Sequence, residues 1–150
     1  MNPNTPISAI MTTSLVTVSP VVSVAEINRI FEEYSFHHIP VVENGALVGI
    51  ISKQDFLQVS HALSYNWSGD IDTDQSFHDF AARDMMTEYP MHLNPDDSIG
   101  LAADIFMANK FHALPILDDD ELVGIITTHD LIAYAFKSPV VSSLKTEHDV

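Results

Sequence analysis

Leu47-Val48-Gly49-Ile50-Ile51-Ser52-Lys53-Gln54-Asp55 and Leu122-Val123-Gly124-Ile125-Ile126-Thr127-Thr128-His129-Asp130 are the two stretches whose reading decides the fold. Each is an apolar run closed by a hydroxyl, with an aspartate three residues further on. They lie 75 positions apart, and outward from them residues 11–57 fall on residues 86–132 without a gap. Of these 47 pairs 15 are identical, where ordinary composition gives about 3. The shared residues are clustered: Met11-Thr12 with Met86-Thr87, Phe36-His37 with Phe111-His112, and Pro40 with Pro115. The chain is a duplication, and two copies imply a two-fold related pair whose equivalent residues face each other across one cleft.

The spacing predicts strand, helix, strand, hairpin, strand and helix in each copy. In the first, residues 15–18 form a short strand ended by Ser19-Pro20, and Ser23 is the N-cap of the next helix. Val24, Ile27, Ile30, Phe31 and Tyr34 behind it follow the three-and-four spacing of one buried helical face. Residues 38–42 are rich in β-formers, and Glu43-Asn44-Gly45-Ala46 carries the Asn-Gly turn signal. Residues 47–51 then return as an unbroken apolar strand, which implies burial on both faces. Ser52 caps a second helix with Phe56, Leu57 and Val59 on its inner side. The second copy has Asp118-Asp119-Asp120-Glu121 as its turn and Thr127 as its cap.

Composition limits the function. The chain has 150 residues, 46% hydrophobic and 18% charged, as expected of a globular protein. Its 21 acidic and 6 basic residues give a formal charge of −15. Such a surface repels nucleic acid and acidic membranes at long range, so neither is an expected partner. Local donors can still hold a small anion, because screening confines surface fields to about 8 Å. Cysteine is absent, which removes disulfides, thiolate nucleophiles and thiolate metal sites. No basic, apolar leader and no run of roughly 20 apolar residues is present, so a cytoplasmic, bacterial-type protein is expected. Between the copies, Asp70, Asp72 and Asp74 invite a calcium loop, but Gln75 and Ala81 occupy the positions where that loop needs glycine and glutamate.

A few repeated polar residues call for more than a core. Ser52-x-x-Asp55 and Thr127-x-x-Asp130 are capping arrangements that satisfy orphan backbone donors. The same arrangement is suited to a ligand, with the helix start and hydroxyl donating to a phosphate and the carboxylate accepting from ribose hydroxyls. His37 and His112 stand just before the strands carrying the repeated prolines and can donate to a bound anion. His38 strengthens the first copy where Ala113 weakens the second, and Lys53 faces Thr128 in the same way. A metal held by His37, His112 and the two aspartates is a minority reading. No glycine-rich phosphate loop, nucleophile elbow or helical His-x-x-x-His pair is present.

Ile10-Met11-Thr12, Val16-Thr17-Val18-Ser19-Pro20, His38-Ile39-Pro40-Val41-Val42 and Leu47-Val48-Gly49-Ile50-Ile51-Ser52-x-x-Asp55 resemble a CBS domain. The second copy matches through Met86-Thr87, Ala113-Leu114-Pro115-Ile116-Leu117 and Gly124-Ile125-Ile126-Thr127-x-x-Asp130. The chain therefore resembles a tandem CBS pair, or Bateman module. The resemblance implies a mixed α/β (α+β) fold of two β-α-β-β-α units packed about a pseudo-two-fold axis, with CBS domains at 7–62 and 82–138, a connector at 63–81 and a tail at 139–150.

It also implies a homodimer, and a non-catalytic, energy-sensing module that binds AMP, ADP or ATP, with or without magnesium, or S-adenosylmethionine, and regulates a separate protein. By the same resemblance Asp55 and Asp130 bind ribose, while Ser52 and Thr127 meet phosphate. His37, His38, His112 and Lys53 are basic contacts, and Thr12, Val16, Thr87 and Met91 line the adenine. The family often has arginine between the hydroxyl and the aspartate, which Lys53-Gln54 and Thr128-His129 replace. The Asp55 site is therefore expected to bind phosphorylated nucleotides more tightly. The rival expectations are a ligand-free dimerisation platform and a metal-dependent enzyme.

Overall fold

The computed structural model describes residues 1–66 and 79–137. The aspartates of the discarded calcium loop, Trp67 and the tail at 139–150 lie outside them. The described elements are helix α1 (Val24–Glu33), strands β1 (His38–Glu43) and β2 (Ala46–Ser52), helix α2 (Lys53–Asn66) and strand β3 (Thr87–Glu88), then helix α3 (Ile99–Ala108), strands β4 (Ala113–Asp118) and β5 (Glu121–Thr127) and helix α4 (Thr128–Lys137). The architecture is mixed α+β. Helix α2 continues the first repeat past residue 62 to Asn66.

The chain forms two compact units, Leu15–Pro90 and a second that joins Met1–Ser14 to the chain from Met91 onward. In the Leu15–Pro90 unit, β1 and β2 pair antiparallel around Asn44 and Gly45, whose φ angles of 53° and 80° suit a two-residue hairpin turn. β3 adds to β2 through Gly49–Glu88 and Ile50–Thr87. The core combines Val24, Ile27, Ile30 and Phe31 of α1 with Ile39, Val41, Ile51 and Phe56, and the Phe31 and Phe56 rings lie 5.4 Å apart. The Ser23 hydroxyl accepts from the Glu26 N–H and starts α1 as the sequence predicts.

The other unit repeats this plan. β4 and β5 pair antiparallel around Asp119 and Asp120, with φ of 47° and 66°. Thr12 takes the place of β3 beside β5, exchanging backbone bonds of 2.8 and 2.9 Å with Ile125. Ile7, Ile99, Ala102, Phe106, Leu114, Ile116, Ile126 and Leu131 form the core. The Met-Thr segment of each repeat thus lies on the hairpin of the other repeat.

That exchange explains the repeated glycines. A Cβ on Gly49 would sit 2.8 Å from the Met86 Cγ, and one on Gly124 would sit 2.8 Å from the Met11 Sδ and 3.0 Å from the Thr12 carbonyl oxygen. Met-Thr and Leu-Val-Gly-Ile-Ile recur together because one rests on the other.

Four local expectations are corrected. Residues 15–18 form no strand: only Val18 pairs, through a parallel bridge to Val41, because the residues before it carry the chain from one unit to the other. Leu93 does the same beside Ile116 in the second repeat. Tyr34 lies beyond the last turn of α1, is 43% exposed and stacks on Phe36 instead of entering the core. Strand β2 is not buried on both faces, since only Gly49 and Ile51 are buried and Leu47, Val48 and Ile50 stay half-buried. Leu57 is 54% exposed because one helical step of about 100° from the buried Phe56 turns it outward; Ile132 repeats this beside Leu131.

Candidate functional site

The candidate sites are the starts of α2 and α4, where a strand of the hairpin delivers a hydroxyl to a helix N-terminus. In the first, the Ser52 Oγ accepts from the Asp55 N–H at 3.0 Å. The Lys53 N–H donates to the His37 carbonyl at 2.7 Å, which brings the chain before β1 against the start of α2. His38 stands opposite Ser52 in the strand register. His37 is exposed, and His38, Ser52, Lys53 and Asp55 are half-buried. The structure therefore brings the backbone positions of five sequence-predicted residues, Ser52, Asp55, Lys53, His37 and His38, to one helix start.

At α4 the pattern recurs with different residues. The Thr127 Oγ1 accepts from the Asp130 N–H at 3.1 Å, and the Asp130 Oδ2 accepts from the Thr127 N–H at 3.0 Å, a reciprocal capping box. The Thr128 N–H donates to the His112 carbonyl at 3.0 Å. Ala113 stands opposite Thr127, where the first repeat has a histidine opposite its serine. The Thr12 hydroxyl donates to the Asp130 carboxylate at 3.2 Å to Oδ1 and 3.4 Å to Oδ2. Among the described residues, the Asp55 carboxylate has no such hydroxyl or backbone donor. The two aspartates are equivalent in sequence and unequal in engagement.

Asp130 already has its donors, whereas Asp55 is held near a helix start, whose unpaired N–H groups favour negative charge. Of the residues assigned to the adenine, Thr12 is exposed and directed at Asp130, Thr87 is exposed in β3, and Met91 is 52% exposed. Val16 is half-buried and packs on the core of the Leu15–Pro90 unit. The pairing of Thr12 with Asp130 is the functional relation that sequence reasoning missed. It depends on the exchange of Met-Thr segments, for which a linear repeat carries no signal.

Among the described residues no three histidine, aspartate or glutamate side chains converge as a metal-binding set. Among them, too, no helix is long and apolar enough to cross a membrane.

The CBS domain family model matches this chain twice, over residues 7–62 and 82–137. The CBS domain-containing protein YhcV of Bacillus subtilis is 31% identical over 121 residues, covering 81% of this chain and 79% of that protein. Protein MJ1225 of Methanocaldococcus jannaschii is 27% identical over 130 residues, covering 83% of this chain and 45% of its own length. The chain spans less than half of several curated relatives, from 45% down to 14%. Among solved structures, CBSX2 in complex with AMP is similar with a TM-score of 0.72 and 25% identity, over 88% of this chain and 96% of that one.

Proposed function

The chain belongs to the CBS domain family as a tandem pair of CBS domains, and from that membership we propose a non-catalytic regulatory module that binds adenosine nucleotides and signals to a separate polypeptide. The observation that carries this reading is the start of α2, where Ser52, Asp55, Lys53, His37 and His38 lie together. A phosphate there meets the helix N-terminus and cationic or neutral N–H donors. In this reading the Asp55 carboxylate accepts from a ribose diol. The AMP bound to the similar CBSX2 supports the adenosine class.

Ser52, Lys53, His37 and His38 then hold phosphate, and Asp55 selects ribose. Thr127, His112 and Asp130 form the corresponding but weaker set in the second repeat, where alanine and threonine replace His38 and Lys53. Thr87, Val16 and Met91 complete the adenine surroundings in this reading. The module works as a homodimer. Its ligand acts by binding one arrangement of the protein better than another, and that difference sets the size of any signal.

Thermal unfolding with AMP, ADP, ATP and S-adenosylmethionine, each with and without magnesium, tests the proposal. Ligand at 100 times its dissociation constant should add about 2.7 kcal/mol, or roughly 5 to 10 °C. The shift should disappear in Asp55→Ala. A protein that none of these ligands stabilises would instead be a ligand-free interaction platform, a reading favoured by the closed capping box of Asp130.

A further inference from the structure

We propose that Thr12 decides which of the two helix starts takes ligand, by occupying the Asp130 carboxylate that a ribose would otherwise engage. The inference rests on the nucleotide reading above and adds an internal competitor to it. The Thr12 Oγ1 approaches both carboxylate oxygens of Asp130, at 3.2 and 3.4 Å. A ribose hydroxyl would donate to the same carboxylate oxygens, so it competes with Thr12 for them. The Thr127 N–H takes a lone pair of Oδ2 at 3.0 Å, so a ribose at Asp130 must share or displace donors that are already in place.

Thr12 cannot drift out of the way. Its backbone N–H and carbonyl are both bonded to Ile125, at 2.8 and 2.9 Å, and Gly124 lies against its carbonyl oxygen. The competing hydroxyl can leave only by rotating about its own side-chain bond, giving up its hydrogen bonds to Asp130. The first repeat provides the comparison within the molecule. Thr87 is the residue equivalent to Thr12 and pairs with Ile50 as Thr12 pairs with Ile125, yet among the described residues nothing donates to the carboxylate of Asp55. Ligand therefore fills the Asp55 site first, and the Asp130 site fills at higher concentration, after the Thr12 hydroxyl has been displaced.

The test removes the hydroxyl while keeping its shape. Isothermal titration of AMP into Asp55→Ala isolates the second site, and the same titration follows for Asp55→Ala with Thr12→Val. The control is Asp55→Ala with Thr13→Val, which removes the exposed neighbouring hydroxyl. Thr12→Val should tighten AMP binding roughly three- to tenfold, the worth of one solvent-accessible hydrogen bond, and Thr13→Val should not. Unchanged or weaker binding in Thr12→Val overturns the proposal, weaker binding meaning that Thr12 is itself a ligand contact.

AMP binding to the wild type but to neither Asp55→Ala form overturns the competition alone. No AMP binding to any form, the wild type included, overturns the nucleotide reading as well. A ligand-free double-mutant cycle of unfolding midpoints keeps the hydrogen bond testable in every case. Thr12→Val and Asp130→Ala should be non-additive, and additive losses would remove the contact on which the proposal stands.

Discussion

Gly124 and Gly49 are the same residue in the repeat, yet they face different obstacles. An added Cβ at Gly124 meets the backbone oxygen of Thr12 at 3.0 Å, whereas at Gly49 its three nearest atoms all belong to the Met86 side chain. A methionine can change rotamer, but a carbonyl fixed in a pair of backbone bonds cannot. Gly124→Ala should therefore cost about 1 to 3 kcal/mol in urea unfolding, more than Gly49→Ala; equal losses would show that the Met11-Thr12 segment yields easily. Asp130 and Asp55 should differ in the same direction. Asp130→Ala removes an acceptor used by the Thr127 N–H and the Thr12 hydroxyl, and should lower stability by about 1 to 2 kcal/mol. Asp55→Ala, with no donor to its carboxylate among the described residues, should lower it less in the absence of ligand.

At the scale of elements, the repeats solve one turn in two ways. Asn44-Gly45 suits a turn with two positive φ angles, while Asp119 and Asp120 hold the same geometry at 47° and 66° with side chains that dislike it. These two acids also lie between Asp118 and Glu121. Replacing Asp119-Asp120 by Asn-Gly should add about 1 kcal/mol and raise the melting temperature by roughly 2 to 4 °C. The first helices of the repeats also differ. On α1, Arg29 pairs with Glu26 and Glu33, where α3 has Asp104, Leu101 and Ala108. The hydrogen bond from Arg29 holds the Glu26 carboxyl below its ordinary 4.5. A lowered carboxylate stabilises the fold fully above that value and loses its effect as pH falls through the folded one. The pair is exposed, so the effect is small and salt weakens it. Acid titration of Arg29→Ala should show a slightly shallower loss of stability below pH 4.5 than the wild type.

At the scale of the whole molecule, the exchange of Met-Thr segments makes each compact unit depend on both repeats. Deleting residues 1–14 should strip hydrogen-exchange protection from the Ile125 N–H, which Thr12 accepts at 2.9 Å. The β1–β2 hairpin lies in the other unit and should keep its protection. Loss at both hairpins would mean that the units unfold as one. The formal charge of −15 repels itself in any compact arrangement, so moderate salt should raise the melting temperature.

Much of the fold was legible along the chain because short-range rules set it. Ser23, Ser52 and Thr127 cap helices, Asn44-Gly45 turns a hairpin, and the 75-residue repeat gives two copies of one plan. The aspartates and their hydroxyls were legible for the same reason, since partners three residues apart meet wherever a helix begins. Residues 15–18, Tyr34 and Leu57 depart from the pattern because apolar spacing cannot say where a chain leaves one unit for another or which side of a thin sheet is covered. By itself the sequence determined the elements, their duplication and the polar residues at each helix start. Only the tertiary structure decided that Met11-Thr12 rests on Gly124 and that Thr12 engages Asp130, because these contacts join residues more than 100 positions apart, and no local preference carries information across that distance.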